Sequence, residues 1–135
     1  MWLRTIGISF LKWLANYFVT ILLIVYLLPS DWHGYSIVIP MWILSFIVAL
    51  AFAYWLFHPH LPTSRDTAIV IVIWLAVSWS IQVFHAFYYF GTLAPLIYGP
   101  DMYVQYLLEI VAILGMSYYM RRKKIQATLG EGLVD

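Results

Sequence analysis

The sequence predicts an all-α membrane protein: four transmembrane helices in an antiparallel up-down bundle, with both termini on the cytoplasmic side. Three observations carry that prediction. Of 135 residues, 64% are hydrophobic and 10% are charged, and the mean hydropathy is +0.88. A soluble domain carries about 25% charged residues to keep its surface wet, so lipid must be most of this chain's solvent. Four long apolar runs are separated by short segments rich in Pro, Gly, Asp and His. Basic residues fall in alternate segments only.

The first run extends from Ile6 to Leu28 (6–28) and the second from Ser36 to Phe57 (36–57). The third covers Thr67 to Phe90 (67–90) and the fourth Met102 to Met120 (102–120). Each gives roughly 28 to 36 Å of helix at 1.5 Å per residue, which matches a hydrocarbon core of about 30 Å with some tilt. Residues 1–120 therefore form one transmembrane domain, and 121–135 a basic cytoplasmic tail whose end, Gln126 to Asp135, is expected to be mobile. Pro29-Ser30-Asp31 closes the first run, and Pro40 is expected near the first turn of the second, where a missing N–H costs least. His58-Pro59-His60-Leu61-Pro62 closes the second run. Gly91, Pro95, Gly99 and Pro100 break the third connection, which is apolar enough to lie along the outer interface. No small-residue cleavage pattern follows the first run, so it reads as an uncleaved span rather than a signal peptide.

Orientation follows from lysine and arginine. With the N-terminus inside, Arg4, Lys12, Arg65, Arg121, Arg122, Lys123 and Lys124 all belong to cytoplasmic segments, and the outer connections hold none. Aromatic residues agree. Trp2, Trp13, Trp55, Tyr118 and Tyr119 mark the inner interface, and Trp32, Tyr35, Trp42, Tyr88, Tyr89, Tyr98 and Tyr103 the outer one. The location implied is a cell's inner (plasma) membrane.

Polar residues inside the runs are the candidates for chemistry. The third run carries Ser78, Gln82, His85 and Tyr89, which share an arc of about 60° at 100° per residue. The fourth carries Gln105 and Glu109, one turn apart. Depth along the helices predicts that Ser78, Gln82, His85, Gln105 and Glu109 meet in the outer half of the membrane. Glu109 is the one acidic residue deep in a run, and an ionised carboxylate there must be paired, protonated or wet. His85 is its expected partner. The two readings are a proton or ligand site, and a polar network that holds helices together.

A second stripe, Ser9, Lys12, Asn16 and Thr20, lies along the first run. Lys12 is expected to snorkel to the headgroups while Asn16 and Thr20 bond a neighbouring helix. Its sharper reading is the inner half of a conduction path. On the second run Ser45, Ala49 and Ala53 form a small-residue stripe suited to close helix packing, and it is the expected face for self-association. The Arg121, Arg122, Lys123, Lys124 run fixes orientation and attracts anionic lipid headgroups, by about 1 kcal/mol per charge.

Several classes of chemistry are excluded. There is no cysteine, hence no disulfide, thiolate metal site or dithiol chemistry. The histidines lie at different depths, so no metal site is expected, and no cofactor. A haem held by His85 would need a second copy of the chain. No nucleophile elbow or phosphate loop is present, and no catalytic residue is nominated. The reading that follows is a non-enzymatic subunit that self-associates or joins a larger membrane complex, with lipids as partners and no nucleic acid. The alternative is an oligomeric channel or proton-coupled transporter using Glu109 and His85, and the third is an intramembrane enzyme acting on a lipid.

Overall fold

A computed structural model describes residues 2–27, 35–94, 97 and 99–131. The described residues form four helices and no strand. Helix α1 spans Trp2–Leu22 and continues as a π-helical turn over Leu23–Leu27; α2 spans Tyr35–Phe57, α3 Ser64–Phe90 and α4 Pro100–Glu131. The first connection, with Pro29, Trp32 and His33, lies outside the described residues, as do Pro95, Tyr98 and Asp135.

Local chemistry explains the boundaries. Thr63 caps α3 reciprocally with Asp66: the Asp66 N–H donates to the Thr63 hydroxyl at 3.1 Å and the Thr63 N–H to the Asp66 carboxylate at 3.0 Å. Two of the helix's first free N–H groups are thereby satisfied. At the other end Gly91 adopts φ 65°, the left-handed conformation that only glycine takes without strain, and its N–H closes on the Phe87 carbonyl. Two boundaries differ from expectation. Pro40 lies in the second turn of α2 rather than the first, so the bond to the residue 36 carbonyl is missing there. The expected mobile tail is helical as far as Glu131, since residues such as Arg, Lys, Gln, Ala and Leu are good helix formers and nothing before Gly130 interrupts them.

Helix α1 packs against α2 and α3, and α4 packs against the same two, most extensively against α2. The four thus form a square in which α1 and α4 are diagonal. At one end, Arg4 near the start of α1 donates to the Trp55 carbonyl near the end of α2. Near the same end, Arg121 of α4 donates to the Ser64 hydroxyl at the start of α3. We call this the basic end.

The distribution of side chains is inverted relative to a water-soluble bundle. Thr5, Ser9, Lys12, Ser45, Thr67, Ser78, Glu109 and Ser117 are buried, whereas Ile43, Val72, Phe84 and Leu107 are more than half exposed. A bundle that exposes large apolar side chains all round is suited to lipid. Three of the helices, Trp2–Tyr26, Ser36–Phe57 and Ser64–Phe90, are long and apolar enough to cross a membrane. Helix α4 is long but carries Gln105, Glu109 and four tyrosines between residues 103 and 119. The core that holds the square together is small: Ile8, Ala49, Ala53, Leu56, Phe57, Val70, Trp74, Ala112 and Ile113.

Candidate functional site

Lys12 and Glu109 meet at the centre of the bundle. The Lys12 Nζ stands 2.5 Å from Glu109 Oε1, with side-chain exposures of 4% and 2%. Because α1 and α4 lie on a diagonal, the pair reaches across the bundle axis and ties together helices that otherwise touch little. The ammonium also sits 5.1 Å from the centroid of the Trp74 ring, and Trp74 is wholly buried. The ring face supplies a second partner for a charge that has lost its water. Glu109 Oε2 and Trp74 Nε1 are buried with no hydrogen-bond partner among the described residues.

Helical spacing brings these groups inward. Ser9, Lys12 and Asn16 succeed one another by three and four residues, so they share one face of α1. Ser9 returns its hydroxyl to the Thr5 carbonyl at 2.7 Å and needs no other acceptor. Small residues, Ala49 and Ala112, let the charged side chains approach the axis.

Lys12 therefore does not snorkel to the headgroups. It is the eleventh residue of a helix that begins at Trp2, so its Cα lies about 15 Å along the axis at 1.5 Å per residue, too deep for the side chain to return to the basic end. Glu109 pairs with Lys12 rather than with His85. No hydrogen bond among the described residues joins Glu109 to Gln82 or His85. Gln82 accepts a hydrogen bond from the Tyr106 hydroxyl. His85 stacks on Tyr89 with centroids 4.9 Å apart and also neighbours the Trp13 and Tyr17 rings at 6.1 and 6.4 Å. Ser78 is buried, and Gln105 and Thr20 are half-buried. The expected five-residue cluster is thus divided between a bonded pair, an aromatic stack and an ion pair that borrows its cation from α1.

On α2, Ser45 donates to Asn16 Oδ1 at 2.9 Å. Ala49 and Ala53 are completely buried within the chain, in the core to which all four helices contribute. The face expected to receive another copy is therefore already occupied. At the basic end, the four cations divide. Arg121 turns inward and donates to Ser117 at 2.7 Å, Ser64 at 3.0 Å and Thr67 at 3.3 Å, while Thr67 and Ser117 share a hydrogen bond of their own at 2.7 Å. Arg122, Lys123 and Lys124 are exposed.

Sequence reasoning missed Trp74, Tyr106, Thr67 and Ser117. One signal was present: Trp74 precedes Ser78 by four residues, so it extends the polar stripe of the third run by one turn. Arranged by helix position from the basic end, the polar groups form a file: Arg121; then Ser117, Thr67 and Thr5; then Ser9; then Lys12 and Glu109; then Asn16, Ser45 and Ser78; then Gln82 and Tyr106. Such a file can join helices. Comparison with protein-family models, with characterised proteins and with solved structures gives no match to this chain.

Proposed function

We propose that the chain is a four-span membrane protein with both termini in the cytoplasm, and that it acts as a non-enzymatic subunit built around the Lys12–Glu109 pair. Its outer faces serve lipid, further copies of itself, or other subunits of a membrane complex. Support for a fourth span comes from the outward face of α4. Tyr103, Leu107, Val111, Leu114 and Tyr118 are exposed at spacings of four, four, three and four residues. Glu109 and Ser117, two of the polar residues that lower the helix's hydropathy, are turned inward.

The orientation is supported by Arg4, Arg65, Arg121, Arg122, Lys123 and Lys124, which all belong to segments at or beyond the basic end. Removing Lys12 from that list leaves the asymmetry intact. A plasma membrane with that end inside is the matching location.

One observation carries the subunit reading. The deep acid and the deep base are committed to each other, closed off from solvent. An intramembrane charge usually marks a functional path, but a closed pair neutralises both charges and fixes helix positions instead. Measuring the mass of the protein extracted in native-like lipid tests this. The expected result is a defined assembly, of copies or with another chain. A lone chain at native abundance would overturn it.

A second reading, a proton-coupled carrier, is favoured by the unpartnered Glu109 Oε2 and by the polar file. Proton flux into vesicles carrying the protein separates the two. Flux that Glu109→Gln abolishes supports the carrier, and no flux from the parent protein rejects it.

A further inference from the structure

The tetrad of cations at the start of the tail is not one diffuse charge, because the fold gives its members different surroundings. Arg121 is engaged by three hydroxyls on the side facing α3. Lys123 and Lys124 instead line a recess between α4 and the end of α2, of about 320 Å³, together with Tyr54, Phe57, His58 and Met120. The geometry is local on both helices. Tyr54, Phe57 and His58 occupy one face at i, i+3 and i+4, and Met120, Lys123 and Lys124 do the same on α4. Phe57 belongs to the core and Met120 packs against it, which makes the floor of the recess apolar. The two ammonium groups supply a cationic rim, and the His58 imidazole adds a polar edge beside them. No carboxylate lines the recess, and neither lysine has an ion-pair partner among the described residues. Asp66, an acid of the same end, is engaged by Thr63 in the α3 cap.

We infer that this recess seats the headgroup phosphate of an anionic phospholipid, with the upper part of its acyl chains against Phe57 and Met120. The inference rests on the reading that the basic end lies at the inner membrane interface. A soluble anion would use the rim and leave the apolar floor uncovered. A phospholipid uses both, and basic pockets between spans on the cytoplasmic side are suited to such headgroups. Tyr54 and Tyr118, both exposed at this end, flank the zone in which amphipathic rings meet headgroups.

The test uses the full chain in nanodiscs of phosphatidylcholine containing a minority of phosphatidylglycerol. After transfer to mild detergent, retained lipid is counted by native mass spectrometry. The parent should keep phosphatidylglycerol in preference to phosphatidylcholine. Lys123→Gln with Lys124→Gln should lower that retention about thirty-fold, the effect of two nearby charges at about tenfold per 1.4 kcal/mol. Ala127→Glu, which places a carboxylate in the same recess, should act similarly. A charge-matched control, Arg65→Gln with Arg122→Gln, should retain lipid close to the parent level.

Equal losses in the two double variants would overturn the proposal in favour of diffuse attraction. Displacement of the lipid by inorganic phosphate would overturn it in favour of a soluble anion. Topology is read separately, by labelling Thr128→Cys in sealed vesicles with an impermeant reagent. Labelling from outside would remove the inner-leaflet assignment while leaving the lipid count valid.

Discussion

Replacing Glu109 by leucine leaves the Lys12 ammonium in a site whose side chains are nearly closed to solvent. Removing one partner of a buried pair costs about 3–5 kcal/mol, because the survivor keeps its desolvation penalty and loses its counter-charge. One feature of this site places the loss for Glu109→Leu near the lower end. The Trp74 ring remains 5.1 Å from the ammonium, and cation–π contact contributes roughly 0.5–2 kcal/mol. Glu109→Leu should therefore lose about 3 kcal/mol, and Lys12→Met, whose surviving carboxylate gains nothing from the ring face, about 3–5 kcal/mol. The double variant replaces the pair by apolar side chains of similar length, which is often neutral or stabilising. It should recover most of the loss, with a coupling free energy on the order of 3 kcal/mol or more. Unfolding in mixed micelles, followed by tryptophan fluorescence, supplies the four corners of the cycle. A double variant as unstable as the sum of the singles would show that Lys12 and Glu109 do not act as a pair. Singles indistinguishable from the parent would show that neither charge is buried.

Cysteines placed at Ser64 and Thr128 should resist an impermeant thiol reagent in intact cells, while one at Ser30 should react; the parent contributes no background because it has no cysteine. Ala49→Trp should destabilise the isolated chain by at least about 1–3 kcal/mol through overpacking at a fully buried position, measured by thermal unfolding. Dissociation of an assembly with the chain's own stability unchanged would contradict that. Tyr106→Phe removes the donor to Gln82 and should cost about 0.6–1.7 kcal/mol, the range for interhelical hydrogen bonds in membranes; a loss several times larger would mean that the pair organises more than one contact. Ser117→Ala should weaken the α3–α4 contact by a similar amount by stripping Arg121 and Thr67 of a shared partner, and an equally stable variant would assign Arg121 to solvent.

The helices were legible because their signals are collective: runs of some twenty apolar residues, and a threonine and a glycine where α3 begins and ends. The polar stripes were legible too, since spacing alone puts Lys12 and Asn16 on one face of α1, and Ser78 and Gln82 on one face of α3. Their partners were not. Helix depth depends on where a helix begins, and Arg4 set the apparent start of the first run at Ile6. Counted from Trp2, Lys12 moves inward by a full turn and reaches the level of Glu109. Pairing also depends on which helices lie diagonal, and no local pattern encodes that. His85 and Glu109 had matching chemistry and similar depth by sequence, yet α1 supplied the stronger counter-charge. Ser45, Ala49 and Ala53 were recognisable as a packing face, but only the fold shows that other helices of the same chain fill it. Tyr106 was hidden among many aromatic residues, with nothing local to separate a hydroxyl that bonds inward from one at an interface.

The diagonal ion pair also bears on how the protein is made. Its two members belong to the first and the last of the described helices, with the cation in α1 and the anion in α4. At a synthesis rate of roughly 5–20 residues per second, Lys12 precedes Glu109 by about 5–20 s. On the four-span reading, the first helix enters the bilayer with an ammonium whose counter-charge has not yet been translated. That is an expense of about 2.5–3.5 kcal/mol on insertion scales, and it persists until the last helix arrives. Like the Tyr106–Gln82 and Arg121–Ser64 bonds, the ion pair forms only once α4 has been made. A truncated product carries an exposed intramembrane charge where the finished protein carries none.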